Sequence, residues 1–141
     1  CMTSKEITVL LFGSFDGIHK GHEYLINEAG EYGSNIIVVV AQDSVITAMK
    51  KRPPTEKLET RMQHLQEFFP HLIVVPGDIA SGTWSAITRY HPDIIIVGYD
   101  QYELYDALLT IQNIHQFRIV QIGAFKPEQY KSSIVRNKKN Q

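Results

Sequence analysis

The apolar residues of this chain fall into short unbroken runs set between amphipathic stretches. Ile7–Phe12, Ile36–Ala41, Leu72–Val75, Ile94–Val97 and Arg118–Ile122 are rich in β-branched residues and show little alternation with polar ones. That pattern predicts strands buried on both faces, as in a parallel sheet. Between them the apolar positions recur at helical spacing. Leu25, Ile26 and Ala29 mark one helix, and Asp43 opens a second over DSVITAMK. Leu58, Met62, Leu65 and Phe69 share one face of a third, over Thr55–Phe69, which Pro70 ends. Further helices are expected over Thr83–Tyr90, over Tyr102–His115 and, briefly, from Ser132. Strands alternating with helices predict a doubly wound, five-stranded parallel sheet of the α/β class. The chain shows no repeat, low-complexity tract or linker, so residues 1–141 are expected to form one domain.

Such sheets bind ligands at the carboxyl ends of their strands, near the point where strand order reverses. This directs attention to the turns after the first, second and fourth strands: GSFDGIHKGH, AQDS with the basic loop behind it, and VGYDQ. The first is the richest. Gly13 removes a Cβ from the backbone's path to a ligand, and Asp16–Gly17 forces a tight turn. His19 and His22 flank Gly21 at the mouth of the next helix, where imidazoles, backbone N–H groups and the helix dipole favour phosphate. No Gly-Lys-Ser/Thr follows, so this is not the phosphate loop of the NTPases. No cysteine or carboxylate cluster accompanies the histidines to complete a tetrahedral metal shell. The chemistry suggested is charge building up on phosphorus, with the protein positioning and stabilising it.

Composition narrows the setting. Hydrophobic residues make up 43% and charged ones 21%, ordinary for a globular chain. A net charge of −1 gives no global field for nucleic acid, so any basic site is local. The cluster Lys50, Lys51, Arg52, before Pro53 and Pro54, is such a site. No apolar run reaches the length of a membrane span, and no signal-peptide core precedes the first strand. Cys1, the single cysteine, precedes Met2 and is expected to be a cloning remnant. Without it no disulfide is available, which suits a cytoplasmic setting.

The segment GSFDGIHKGH resembles the GxFDxxHxGH motif of the HxGH nucleotidyltransferase superfamily, the cytidylyltransferase-like proteins. The stretch from IIVVVAQDSV to GYDQ looks most like the archaeal-type FAD synthases. The resemblance implies the adenine nucleotide alpha hydrolase-like form of the Rossmann-like sheet. It also implies transfer of a nucleoside monophosphate from a triphosphate to a phosphorylated acceptor, with release of pyrophosphate. The favoured pair is ATP and FMN, with Mg²⁺ as the divalent cation. By the same resemblance His19, His22 and Lys51 would be catalytic. Gly13, Ser14, Phe15, Asp16, Gly21, Gly98, Asp100, Ser132 and Ser133 would bind nucleotide, and Arg61, Tyr99 and Gln101 the substrate.

Each motif has a plainer reading: Asp16 in an Asx turn, Asp100 and Ser132 as helix caps, Arg61 on a surface, Trp84 and the following tyrosines as core. The departures bear on the substrate. KPEQYKSS replaces the RTEGIS of glycerol-3-phosphate cytidylyltransferases, FFPHLIV replaces their RYVDEV, and the C-terminal cysteines common in FAD synthases are absent. Two alternatives follow: a CTP-dependent cytidylyltransferase acting on glycerol 3-phosphate or a sugar phosphate, and a non-catalytic nucleotide-binding regulator. The family analogy also implies a homodimer, while the near-neutral charge and the lack of a membrane-length apolar run lead us to expect no nucleic acid or membrane partner.

Overall fold

A computed structural model describes residues 6–18, 20–79 and 83–123. Five strands, β1 (Thr8–Gly13), β2 (Asn35–Val40), β3 (Ile73–Pro76), β4 (Ile94–Gly98) and β5 (Arg118–Ile122), form one sheet. All pairings are parallel, in the order β3-β2-β1-β4-β5. Helices α1 (Lys20–Gly30), α2 (Asp43–Lys50), α3 (Leu58–Phe68), α4 (Ser85–Tyr90) and α5 (Tyr102–His115) make the connections.

The side chains of each strand alternate between two apolar layers, because successive residues of a strand face opposite sides. Val9, Leu11, Val38 and Ile96 face Ile26 and Ala29 of α1 and Leu65 of α3. Leu10, Ile37, Ile95 and Val97 face Ile87 of α4 and Leu108 of α5. Helices on both faces explain why the central strands read as continuous apolar runs. β3 and β5 lie at the edges and are partly exposed, and Pro76 at the end of β3 is tolerated there because an edge strand can spare a donor.

Two helices start later than their apolar period predicts, and each for a local reason. α3 begins at Leu58 rather than Thr55, because the N–H groups of Thr55 and Glu56 donate to the Asp16 carboxylate. α4 begins at Ser85 rather than Thr83, because Trp84 adopts a left-handed backbone. Among the described residues no helix is long and apolar enough to cross a membrane.

Candidate active site

The sheet order reverses at β1, whose neighbours β2 and β4 lead to opposite edges. Backbone pairing between β1 and β4 stops at Leu11–Ile96. Beyond it the Gln101 carboxamide stands between the two strands. It donates to the Phe12 carbonyl at 3.0 Å and accepts from the Gly98 N–H at 2.7 Å. A side chain thus continues the ladder where the backbones part, and a crevice opens at the switch point.

A cleft of about 780 Å³ occupies this carboxyl edge. It is bounded by Gly13 at the end of β1, by Ser14 and Phe15 after it, by His22 in the first turn of α1, by Ala41 before α2 and by Lys50 at the end of α2. Gly98, Asp100 and Gln101 close it after β4. The three turns selected from the sequence therefore meet. The turn after β3 joins them through Gly77 and Asp78, a contribution the sequence reading missed.

The glycine turn is tied down by charge. The Arg61 guanidinium is fully buried and every contact is internal: Nε donates to the Glu56 carbonyl at 2.9 Å, Nη1 to the Ser14 carbonyl at 2.8 Å and Nη2 to Asp43 Oδ1 at 2.6 Å. Arg61 was expected to reach substrate, but its donors instead join α3, the start of α2 and the turn after β1. Asp43 keeps 44% of its side chain exposed, so one end of the pair remains solvated.

Asp16 spends both carboxylate oxygens on backbone, accepting from Thr55 N–H at 2.7 Å and Glu56 N–H at 2.9 Å. Partial burial alone would raise its pKa. The two N–H donors, with the charges of Arg61 and Lys50, outweigh that and hold the carboxyl below its ordinary value.

Gly13 also differs from expectation. A Cβ there would stand 2.7 Å from Cε2 of Phe15, so the missing side chain makes room for that ring before any ligand arrives. Phe15 is 2% exposed, has a φ of 51° and stacks at a tilt on His22, with 5.0 Å between ring centroids. The aromatic ring thereby sets the floor on which the imidazole lies. Gly17 carries the positive φ, 87°, that the tight turn needs.

In the basic cluster it is Lys50 that borders the cleft. Lys51, expected to contact phosphate, is the left-handed residue that ends α2, its N–H capping the Thr47 carbonyl. Tyr99 is exposed, outside the residues bordering the cleft, whereas Asp100 stands at its lip. Gly21 lies in the first turn of α1. His19, Ser132 and Ser133 lie outside the described residues.

Among the described residues no group of three His, Cys, Asp or Glu side chains could hold a metal ion. Asp16, the acid of the glycine turn, has both carboxylate oxygens committed to backbone N–H groups.

A family model described as Cytidylyltransferase-like matches residues 10–138. The FAD synthase of Pyrococcus horikoshii is 35% identical over 99 residues, covering 70% of this chain and 67% of that protein. The FAD synthase of Thermococcus sibiricus is 30% identical across 96% of this chain and 90% of its own length, and that of Thermoplasma acidophilum 31% identical across 94% and 93%. Among solved structures, a lipopolysaccharide core biosynthesis protein from Thermoplasma volcanium superposes with a TM-score of 0.76 at 25% identity, covering 86% of this chain and all of that one. Pantoate-beta-alanine ligase from Francisella tularensis shares the fold alone, at 13% identity and a TM-score of 0.62, over 89% of this chain and 62% of that one. The match along nearly the whole chain, on a cleft built from its GSFDGIHKGH and GYDQ turns, makes this a nucleotidyltransferase of the cytidylyltransferase-like family, related to the archaeal FAD synthases.

Proposed function

We propose that this chain is an FMN adenylyltransferase, a single nucleotidyltransferase domain that joins ATP and FMN to give FAD and pyrophosphate. The observation that carries the reading is the 780 Å³ cleft at the switch point, in a chain aligned over most of its length with proteins named FAD synthase. A phosphate oxygen of FMN attacks the α-phosphorus of ATP in line. The bond from that phosphorus to the oxygen bridging the β-phosphate breaks, and the electron pair leaves with pyrophosphate. No covalent enzyme intermediate is required.

His22, held against Phe15, donates to the triphosphate as charge concentrates around the α-phosphorus, and His19 is assigned the same role. Lys50 takes the phosphate-binding role first assigned to Lys51, because it borders the cleft. Ser14, Gly98 and Asp100 line the nucleotide crevice, while Ser132 and Ser133 are assigned to the departing pyrophosphate. Gln101 and Arg61 act by holding the strand ends and the glycine turn in place. A divalent cation, taken to be magnesium, would be carried in on the triphosphate and would supply neutralisation of its charge. The family analogy adds a homodimer, and the lack of any disulfide-forming pair of cysteines is in keeping with the cytoplasm.

A CTP-dependent transfer to a sugar or polyol phosphate is the second reading, favoured by the likeness to the lipopolysaccharide core biosynthesis protein. Pyrophosphate release decides between them, with ATP and CTP each offered FMN, glycerol 3-phosphate and phosphopantetheine. Turnover with ATP and FMN is expected. Turnover with CTP alone would overturn the base and the acceptor together, and nucleotide binding without turnover would favour a regulator.

A further inference from the structure

Among the described residues five other than glycine have positive φ, and three of them, Lys51, His91 and Gln116, end helices, where left-handed backbone is common. The other two are aromatic and border the cleft: Phe15 and Trp84. Trp84 stands at the start of α4, with φ 51° and ψ 42°, where a helix normally carries extended backbone. A bulky residue held in this region is strained, and such strain persists only where neighbouring structure enforces it.

The enforcement is visible. Asp78 Oδ2 accepts from the Thr83 hydroxyl and, at 2.8 Å, from the Ser85 N–H, so one carboxylate oxygen grips the residues on both sides of Trp84. The indole is half-buried and meets Phe12 edge to face, with ring centroids 5.8 Å apart at 79°. Val39, Ala86 and Leu104 belong to the same apolar cluster as the indole and line the cleft with it, beside the polar Asp78 and Ser85, while the glycine turn, His22, Lys50 and Asp100 line it as well. In the reading above the nucleotide is assigned to the crevice at the β1–β4 switch point, and the part of the cleft beside Trp84, the acceptor arm, to the second substrate.

We infer that Trp84 is the aromatic wall of the acceptor arm and selects acceptors with a flat ring system, and that Asp78 is the positioning residue that holds it in place. The inference rests on the adenylyltransferase reading above. The indole meets Phe12 at a steep angle and not face to face, and it lines the cleft, where a flat ring can form an offset stack on it. A polyol phosphate would leave that apolar wall without a partner.

The test uses FMN and ATP with the whole chain. Contact with an indole quenches flavin emission, so FMN fluorescence should fall on binding to the wild type and recover in Trp84→Leu. Steady-state kinetics of Trp84→Leu should show KM for FMN raised at least about tenfold, with KM for ATP unchanged. Asp78→Ala should move KM for FMN in the same direction without removing the indole. If FMN is adenylylated but Trp84→Leu leaves both its KM and its bound emission at wild-type values, the inference fails while the activity stands. If ATP is the substrate whose KM rises, Trp84 belongs to the base pocket and the inference also fails. If FMN is not turned over and CTP with glycerol 3-phosphate is, the underlying reading has failed and takes the ring preference with it. Should Trp84→Leu not fold, the wild-type emission together with Asp78→Ala kinetics decides the matter.

Discussion

Phe15 links two features of the glycine turn that the sequence presents as separate. Its ring fills the space that a Gly13 side chain would take, and the same ring supports His22. Gly13→Ala should therefore displace the ring, costing about 1–3 kcal/mol as overpacking does and lowering kcat because the imidazole loses its floor. Gly17→Ala meets no atom within 4 Å, so it should cost only about 1–2 kcal/mol for the left-handed backbone. Urea unfolding of the two variants beside pyrophosphate-release rates separates these causes: only Gly13→Ala should lose rate beyond its loss of stability. His22→Ala should lower kcat by roughly 10²–10³ with the fold intact, as removal of one preorganised donor does. Full activity in that variant would remove the imidazole from the reaction. At this scale the sequence reveals which residues gather but not what each touches. Gly13 invites a ligand on paper because the Phe15 ring returns over it only through a φ of 51°, a backbone value rare for phenylalanine. Lys50 and Lys51 cannot be ranked until the end of α2 places one on the cleft and uses the other as its cap.

Between elements, Asp16 and Arg61 tie the glycine turn to α3 and α2. The Asp16 carboxylate gathers the segment before α3, and Arg61 in α3 reaches back to the carbonyl of Ser14 and to Asp43 of α2. Arg61→Met keeps the buried stem but leaves the Ser14 and Glu56 carbonyls unpaired, so a loss of about 2–4 kcal/mol is expected, measured by urea unfolding. Lysine cannot form the same planar fork, and Arg61→Lys should recover only part of that loss. A change within about 0.5 kcal/mol for Arg61→Met would show the guanidinium to be dispensable. Asp16 also fixes how stability depends on pH. Its folded pKa lies below the unfolded value of about 3.9, so its contribution is present above that pH and is lost as pH falls through the lower, folded pKa. Asp78 follows the same rule, chiefly through the Thr83 hydroxyl and then the Ser85 N–H. Asp16→Asn should be less stable at pH 7 and lose less on acidification below about pH 4. Circular-dichroism melts across that range would show the two curves converging in acid, and parallel curves would contradict the assignment. The late start of α3 was not legible because Thr55–Lys57 keep helical spacing; the competing acceptor lies 39 residues earlier, in the glycine turn.

Across the molecule, the five apolar runs became five strands with no boundary shifted by more than one residue, because burial on both faces leaves a mark in composition that needs no knowledge of partners. The carboxyl-edge rule likewise brought the turns after β1, β2 and β4 together. It left out the turn after β3, since PGDIASG carries one acid that resembles any turn residue, and its grip on Thr83 and Ser85 exists only once the loop has closed. The cleft that results draws on segments from Phe12 to Leu104. An unfolded chain cannot assemble it, so a nucleotide that binds there must stabilise the fold by mass action. At a hundred times its dissociation constant, ATP with magnesium should add about 2.7 kcal/mol, a rise in Tm of roughly 10 °C for a domain of this size. CTP at the same concentration should add less if the chain prefers adenine. A larger shift with CTP would reverse the base assignment while leaving the cleft as the nucleotide site, whereas no shift with either, under conditions of turnover, would mean that the nucleotide binds too weakly for this cleft to be a preformed site. Adding FMN then separates the two arms: a further rise beyond that given by ATP would require both substrates to be held at once, as direct in-line transfer demands.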